Sequence, residues 1–454
     1  MATITPAGHF RLKMVRIGLM ASQFSSIDRR YFLSRTGAVA LGAGLAPVIA
    51  AGAGQAVTLR AKTGSLALRP GQSESPVWLV EAPSPALRFK RGSTLELALQ
   101  NEVSGAVVLN WHGLDGASAA EPLTSQSPLQ GGARTVFSVP LRHAGTLFGD
   151  LRLLADAGAP PSRALPLIVE ENEAQPVDRE EIVLIEDFRL RPDGTAVSAG
   201  SDPKDAGLIY TINGMISPDI AVHSSERLRL RLINGCQRNV IAVKIEGLEV
   251  RVMAIDGQPA EPFFARNGAI VMAPGGRADA FVDVILQPGA APPLLLHDGK
   301  EAHAIGKLRI EGEIARRAPL LPAPSLPSNG LPAQLDLKSA QRFELSMQGT
   351  EWIAPARFAT ASAPAFRVKA GRVVVLALTN RASLAAVFHL HGHHFRLLDR
   401  LDDGWKPYWL DTLALQPGET QRIAFVAEYA GRWLLESTAT DWAAPKLLRW
   451  YSVE

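Results

Sequence analysis

The 454-residue chain contains one cysteine, Cys236. A single thiol excludes an intrachain disulfide framework and a cysteine-based zinc site, so metal chemistry within one chain rests on its ten histidines and its carboxylates. Charged residues make up only 20% of the chain and aromatic residues 6%. Helical periodicity of useful length is missing, and beyond the first segment no run is long and apolar enough to cross a bilayer. There is no Gly-x-Ser-x-Gly elbow, no Gly-x-x-x-x-Gly-Lys phosphate loop and no Cys-x-x-Cys. The glycines and lysines of Gly299 to Lys307 have the wrong spacing for a phosphate loop and read as a hairpin turn. What is present is an apolar fraction of 47% punctuated by 39 Gly and 32 Pro. That balance predicts an all-β chain of short strands and many turns, long enough for two or three domains.

The first segment reads as an address. Residues 25–35, SSIDRRYFLSR, precede an uncharged Ala/Gly-rich run from Gly37 to Ala56. Arg29 and Arg30, followed by Phe32 and Leu33, resemble a twin-arginine export signal, with cleavage after Ala53 or Ala56. A retained N-terminal anchor is the alternative. Removing residues 1–56 takes away six basic residues and one acidic one, so the formal charge of +3 becomes −2, with 41 basic against 43 acidic residues. No basic patch for nucleic acid is left. The mature chain is expected in the bacterial periplasm, with the twin-arginine export machinery as one partner.

Strand signals recur along the rest. Arg227 to Leu232 alternates Arg and Leu, which predicts leucines 228, 230 and 232 on a core face and the arginines in water. Leu95 to Leu99, Ala269 to Met272 and Arg372 to Leu378 read likewise. Residues 317–334 are Pro-rich and predict an extended linker over the surface. With a further boundary near Asn172 to Val177, the expected units are 57–175, 176–316 and 335–454. Pro-Gly turns before strands at Pro274-Gly275 and Pro417-Gly418 occupy corresponding late positions in the second and third units, which predicts related β-sandwiches.

His9, His143, His223, His297 and His303 stand alone in sequence. The exception is Phe388-His389-Leu390-His391-Gly392-His393-His394-Phe395. If the strand stays extended through Gly392, His389, His391 and His393 share one face and make a plausible copper or zinc site. This string resembles the His-Leu-His motif of the three-domain multicopper oxidases. DTLALQPGET (411–420) and Gly431-Arg432-Trp433 are similar to the approach to that family's last copper strand. Asn110-Trp111-His112-Gly113-Leu114 resembles its His-Trp-His-Gly, and Ala144-Gly145-Thr146 the turn before its second His-x-His. RLRLINGCQRN and VMAIDGQPAEP match its second-domain style. The resemblance covers essentially the whole mature chain. It implies three cupredoxin-like (plastocyanin-like) Greek-key β-sandwich domains, with a trinuclear copper cluster between the first and third.

The departures set the functional expectation. Asn110 replaces the first His of His-Trp-His, Asp150 and Arg152 replace the second pair, and Ala386 stands three residues before His389. The final strand reads Glu436-Ser437-Thr438 with Trp442, where the family carries His-Cys-His and a later His. Only His112, His389 and His391 remain of the implied ligands. Ser437 and Ala386 remove a thiolate and an imidazole that blue copper needs, and Cys236 lies in another domain. The reading is therefore a copper-poor branch of the family, a non-catalytic scaffold or stabilising protein of the cell envelope or division machinery, with no cofactor expected and Asp150, Arg152 and Glu436 pairing with one another and with the histidines. Expected partners are periplasmic or envelope proteins, including division proteins. Two alternatives stay open: a laccase-like or metal oxidase with a rearranged site, and a periplasmic copper- or zinc-binding protein using His112, His389 and His391 with Asp150 or Glu436. Cys236 reads as a small buried residue.

Overall fold

A computed structural model describes residues 56–454 except 70, 72, 156–158, 313–319, 361 and 400–403. The twin-arginine segment and the start of the Pro-rich segment lie outside the described residues. Regular structure among the described residues is almost entirely β, and it repeats three times along the chain.

In each unit a first strand pairs in parallel with a second, which pairs antiparallel with a third. Val57–Leu66 lies beside Thr94–Asn101 and then Arg134–Pro140. The equivalent trio in the second unit is Arg179–Leu190, Arg227–Asn234 and Arg277–Asp283. In the third it is Gln341–Ser346, Val373–Thr379 and Thr420–Val426. The facing sheets also share a plan, each with a parallel pair near an edge: Leu87–Lys90 with Leu165–Glu170, Asp219–His223 with Ala302–Glu311, and Arg367–Val368 with Lys446–Val453. The two Pro-Gly turns lead directly into the third strand of their trios. Each sandwich is filled by its own apolar cluster, around Leu97 and Leu167 in the first, Leu230 and Leu296 in the second, and Phe388 and Phe425 in the third. These are the cupredoxin-like sandwiches that the sequence implies.

Two local expectations need correction. Leu228, Leu230 and Leu232 do face the core, but Arg227, Arg229 and Arg231 are buried as well. Their face of the sheet lies against the first unit at Arg229 and Arg231 and against the Pro-rich segment at Arg227, not solvent. Arg229 bonds Asp279 at 2.6 Å and Glu171 at 2.7 Å, and Arg231 bonds Asp279 at 2.9 Å, Glu180 at 2.8 Å and the Thr146 hydroxyl at 3.0 Å. Buried guanidinium groups are tolerated because each is paired and hydrogen-bonded. The Pro-rich segment is likewise more than a surface crossing. Ala323 and Leu326 pack on Met253 and Phe281, and Asn329 is buried against Ala144.

Candidate functional site

Two short ribbons meet at the seam between the first and third units. In one, Asn110–His112 pairs with Gly145–Asp150, placing Asn110 opposite Asp150 and His112 opposite Phe148. In the other, Ala386–Leu390 pairs with Gly431–Ala439, placing His389 opposite Glu436 and Phe388 opposite Ser437. Asn110 Nδ2 donates across the seam to Glu436 Oε1 at 2.8 Å. His112 stacks on Phe148 at 4.3 Å, and its ring lies 4.5 Å from that of His389, which is 4.7 Å from that of His391. The seam thus gathers His112, His389, His391, Asp150 and Glu436.

Their nitrogens are already committed to different tasks. His391 Nδ1 faces Glu121 Oε1 at 3.0 Å and Nε2 faces Glu436 Oε1 at 2.9 Å. Carboxylates only accept, so both ring nitrogens donate and His391 is an imidazolium. Burial opposes that charge, but Glu121 and Glu436 outweigh it and raise the pKa to about 10. Glu436 also takes the Lys446 ammonium at 2.9 Å. Against the cost of burial, Lys446 and His391 hold its carboxyl well below the usual range. The Thr412 hydroxyl gives its proton to Asp411 at 2.7 Å, so its oxygen accepts from His389 Nδ1 at 3.0 Å. His389 is neutral, lowered to about 4 by burial against the opposing charge of Asp411. Burial and the neighbouring His389 hold His112 neutral too. Its Nδ1 and Asn110 Oδ1 are buried without a hydrogen-bond partner, and Asp150 stays 3.8 Å from its Nε2. A cavity of about 40 Å³ lined by His112, Asp150, Arg152, Glu436 and Lys446 has room for water beside them.

The expected pairing of Asp150, Arg152 and Glu436 holds only in part. Arg152 turns to Glu186 at 3.0 Å and to the Ser162 carbonyl at 2.9 Å, while its guanidinium stays 3.8 Å from Asp150. Asp150 instead accepts the Arg152 backbone N–H at 2.9 Å. Glu436 pairs with His391 and Lys446, a partner the sequence reading missed along with Glu121. The shared face of His389, His391 and His393 is lost because the strand ends at Leu390 and Gly392 turns with φ +75°. His393 consequently enters the aromatic core of the third unit, bonding the Tyr451 hydroxyl at 2.7 Å.

A second buried cluster lies where all three units meet, and it includes a histidine that seemed isolated. Asp115 Oδ2 is 2.8 Å from His394 Nδ1 and 3.0 Å from His143 Nδ1. Gln258 Nε2 reaches His143 Nδ1 at 3.0 Å and His394 Nδ1 at 3.4 Å. Arg277 closes the junction with two bonds to Asp411, at 2.7 and 2.9 Å. Among the described residues, Asp115, His143 and His394 are the group that brings three potential metal-ligand atoms within 4.8 Å of one another. Position in the sequence motifs offered a partial signal: Asp115 follows Trp111-His112-Gly113-Leu114, and Asp411 opens DTLALQPGET.

Comparison with known proteins decides the family. Sequence models described as multicopper oxidase match residues 63–148, 183–290 and 332–454, together more than half of the chain. The chain belongs to the multicopper oxidase family. It is 22% identical over 414 residues to a multicopper oxidase, MmcO, of Mycobacterium tuberculosis, covering 78% of each chain. It is 26% identical over 305 residues to copper resistance protein A of Pseudomonas syringae pv. tomato, covering 53% of this chain but only 48% of that protein. Among solved structures, a multi-copper oxidase from Pseudomonas thermotolerans superposes with a TM-score of 0.74 at 25% identity, covering 88% of this chain and all of the other. Lac15 from a marine microbial metagenome gives 0.73 at 26%, with the same coverage.

Family membership overturns the expectation that the chain carries no cofactor. Copper is the metal that this family implies, and the described residues include a His/His/Asp cluster with metal-type donors. The residues at the implied four-copper positions nevertheless do not fit that set. Ser437 donates its hydroxyl to the Met347 carbonyl at 3.0 Å, Ala386 is packed in the core, and the Trp442 indole N–H donates to the Ser198 carbonyl at 3.0 Å. None supplies a thiolate or an imidazole. Beside them, the Lys446 ammonium and the Arg152 guanidinium bring two fixed positive charges to the cavity edge.

Proposed function

We propose that the chain is an exported periplasmic member of the multicopper oxidase family that acts as a binding or stabilising component of the cell envelope, not by reducing dioxygen. The observation that carries this reading is Ser437, hydrogen-bonded to Met347 where the resemblance places the thiolate through which electrons would enter. The substituted ligand pattern resembles that of the cell-division protein FtsP (SufI), which supports division or envelope proteins as the partner class. Export rests on Arg29 and Arg30 within the leader.

Dioxygen uptake by the mature, copper-supplemented chain tests the proposal with a phenol, or a cuprous salt, as electron donor. The expected rate is that of the same copper without protein. Sustained, protein-dependent uptake overturns the proposal.

The second reading, a copper-dependent oxidoreductase with a rearranged site, is favoured by the names of the relatives, which include laccases as well as a copper resistance protein. It draws on His112, His389 and His391 with Asp150 or Glu436. Here uptake is present in the unaltered chain and lost in His389→Ala.

A further inference from the structure

We propose that Asp115, His143 and His394 form a binding site for one divalent transition-metal cation of the Zn2+/Cu2+ class, at the junction of the three units. None of the three stands at a position where the sequence resemblance places a family copper ligand, and the site does not depend on the envelope role proposed above.

The surroundings orient both imidazoles toward one point. His394 Nε2 donates to the Asp256 carbonyl at 2.8 Å, which leaves Nδ1 as the nitrogen aimed at Asp115. Against burial, the Asp115 carboxylate raises the ring's pKa to about 9, so without metal His394 is an imidazolium and a bound cation would take the place of its Nδ1 proton. A metal-bound histidine is held in this way by a backbone carbonyl on its other nitrogen. Gln258 is fixed through a chain of contacts. Asn329 takes the Ala144 N–H at 2.9 Å and gives its own amide protons to the Ala144 carbonyl at 2.8 Å and to Gln258 Oε1 at 2.9 Å. Gln258 must therefore turn its NH2 group to His143 and His394.

Counting protons then exposes a mismatch. If His143 Nδ1 carries a proton to Asp115, the Gln258 N–H faces two nitrogens that cannot accept it. If His143 Nδ1 is bare, its lone pair faces the Asp115 carboxylate at 3.0 Å. With Asp115 held ionised by its histidine neighbours against the cost of burial, neither placement satisfies all four groups. A cation held by both Nδ1 lone pairs and the carboxylate removes the second conflict, at the expense of the Gln258 contact to His143.

The donor set and the spacing suit such an ion. Two imidazoles and a carboxylate without sulfur match borderline divalent metals. Metal–ligand bonds of about 2.0–2.1 Å in tetrahedral array separate ligand atoms by roughly 3.3 Å, so the present 2.8 and 3.0 Å contacts need to open by only a few tenths of an ångström. An approach exists on the His143 side, where the side chain is 10% exposed while that of His394 is fully buried.

Calorimetric titration of the chelator-treated full-length mature chain with Zn2+ tests the proposal. The expected result is one equivalent bound at micromolar zinc, with proton release and a higher melting temperature. His143→Ala is expected to weaken binding at least tenfold, and a melting curve of the metal-free variant verifies that it folds; His143→Gln replaces it otherwise. Absence of zinc binding, binding unchanged in both His143 variants, or binding abolished instead by His112→Ala overturns the proposal. Loss of the zinc site leaves the oxygen-uptake result untouched, so the two readings fail separately.

Discussion

His391 shows how a position implied as a metal ligand becomes an ion-pair centre. With Glu121 on one nitrogen and Glu436 on the other, it has no lone pair to offer. Removing one member of a buried, hydrogen-bonded charge cluster costs about 3–5 kcal/mol, because the remaining charges lose their partner. His391→Gln is therefore expected to lower the unfolding free energy by about that amount near pH 7, measured by chemical denaturation. The sign of the pH dependence follows from the shift. A histidine raised from 6.5 to about 10 gives stability that is fully present below its unfolded value and is lost as pH rises through its folded value. Melting temperature of the unaltered chain should fall between pH 7 and pH 10, and the slope should flatten in His391→Gln. An equal slope in both would remove His391 as its source. The sequence alone identified His391 as special. It did not reveal the charge, since Glu121 is 270 residues away and belongs to no motif.

At the scale of the strand and turn, alternation was legible wherever one face of a sheet is buried within its own unit. It misled at Arg227–Asn234, because the second face is covered by another unit, and an interunit contact has no period. Gly392 was the other limit. A shared histidine face needs extended backbone through it, yet its φ of +75° sets the turn that separates His391 from His393. A Cβ there would also lie 2.2 Å from the Trp433 ring, which is itself fully buried. Gly392→Ala combines an unfavourable backbone conformation with a clash against an immobile ring, and about 2–4 kcal/mol of destabilisation is expected. Thermal unfolding measures it; a loss within 0.5 kcal/mol would mean that the turn is not constrained as described.

Across the whole molecule, buried charge joins the units alongside small apolar clusters, such as Val108 and Leu153 against Leu434 and Trp450, and Leu68 and Val77 against Phe188 and Leu190. Arg229 and Arg231 join the second unit to the first through Glu171 and Thr146, Glu180 of the second unit reaches Arg88 of the first, and Arg277 joins the second unit to the third through Asp411. Glu121 and Asn110 of the first unit meet His391 and Glu436 of the third. The three-sandwich fold was legible because its strand and turn signals recur and its motifs keep their order. The junction of Asp115, His143, Gln258 and His394 was not, because it draws residues far apart in sequence from all three units.

The central claim is that the seam between the first and third units is held by fixed charges at the positions where the family implies copper ligands. The most direct measurement is the 15N spectrum of the histidine side chains in the full mature chain, with His391 assigned by His391→Gln. Both of its ring nitrogens should be protonated at pH 7.5 and should stay so when one equivalent of Cu2+ is added. A neutral His391 ring at that pH, or loss of its signals to bound copper, would contradict the account.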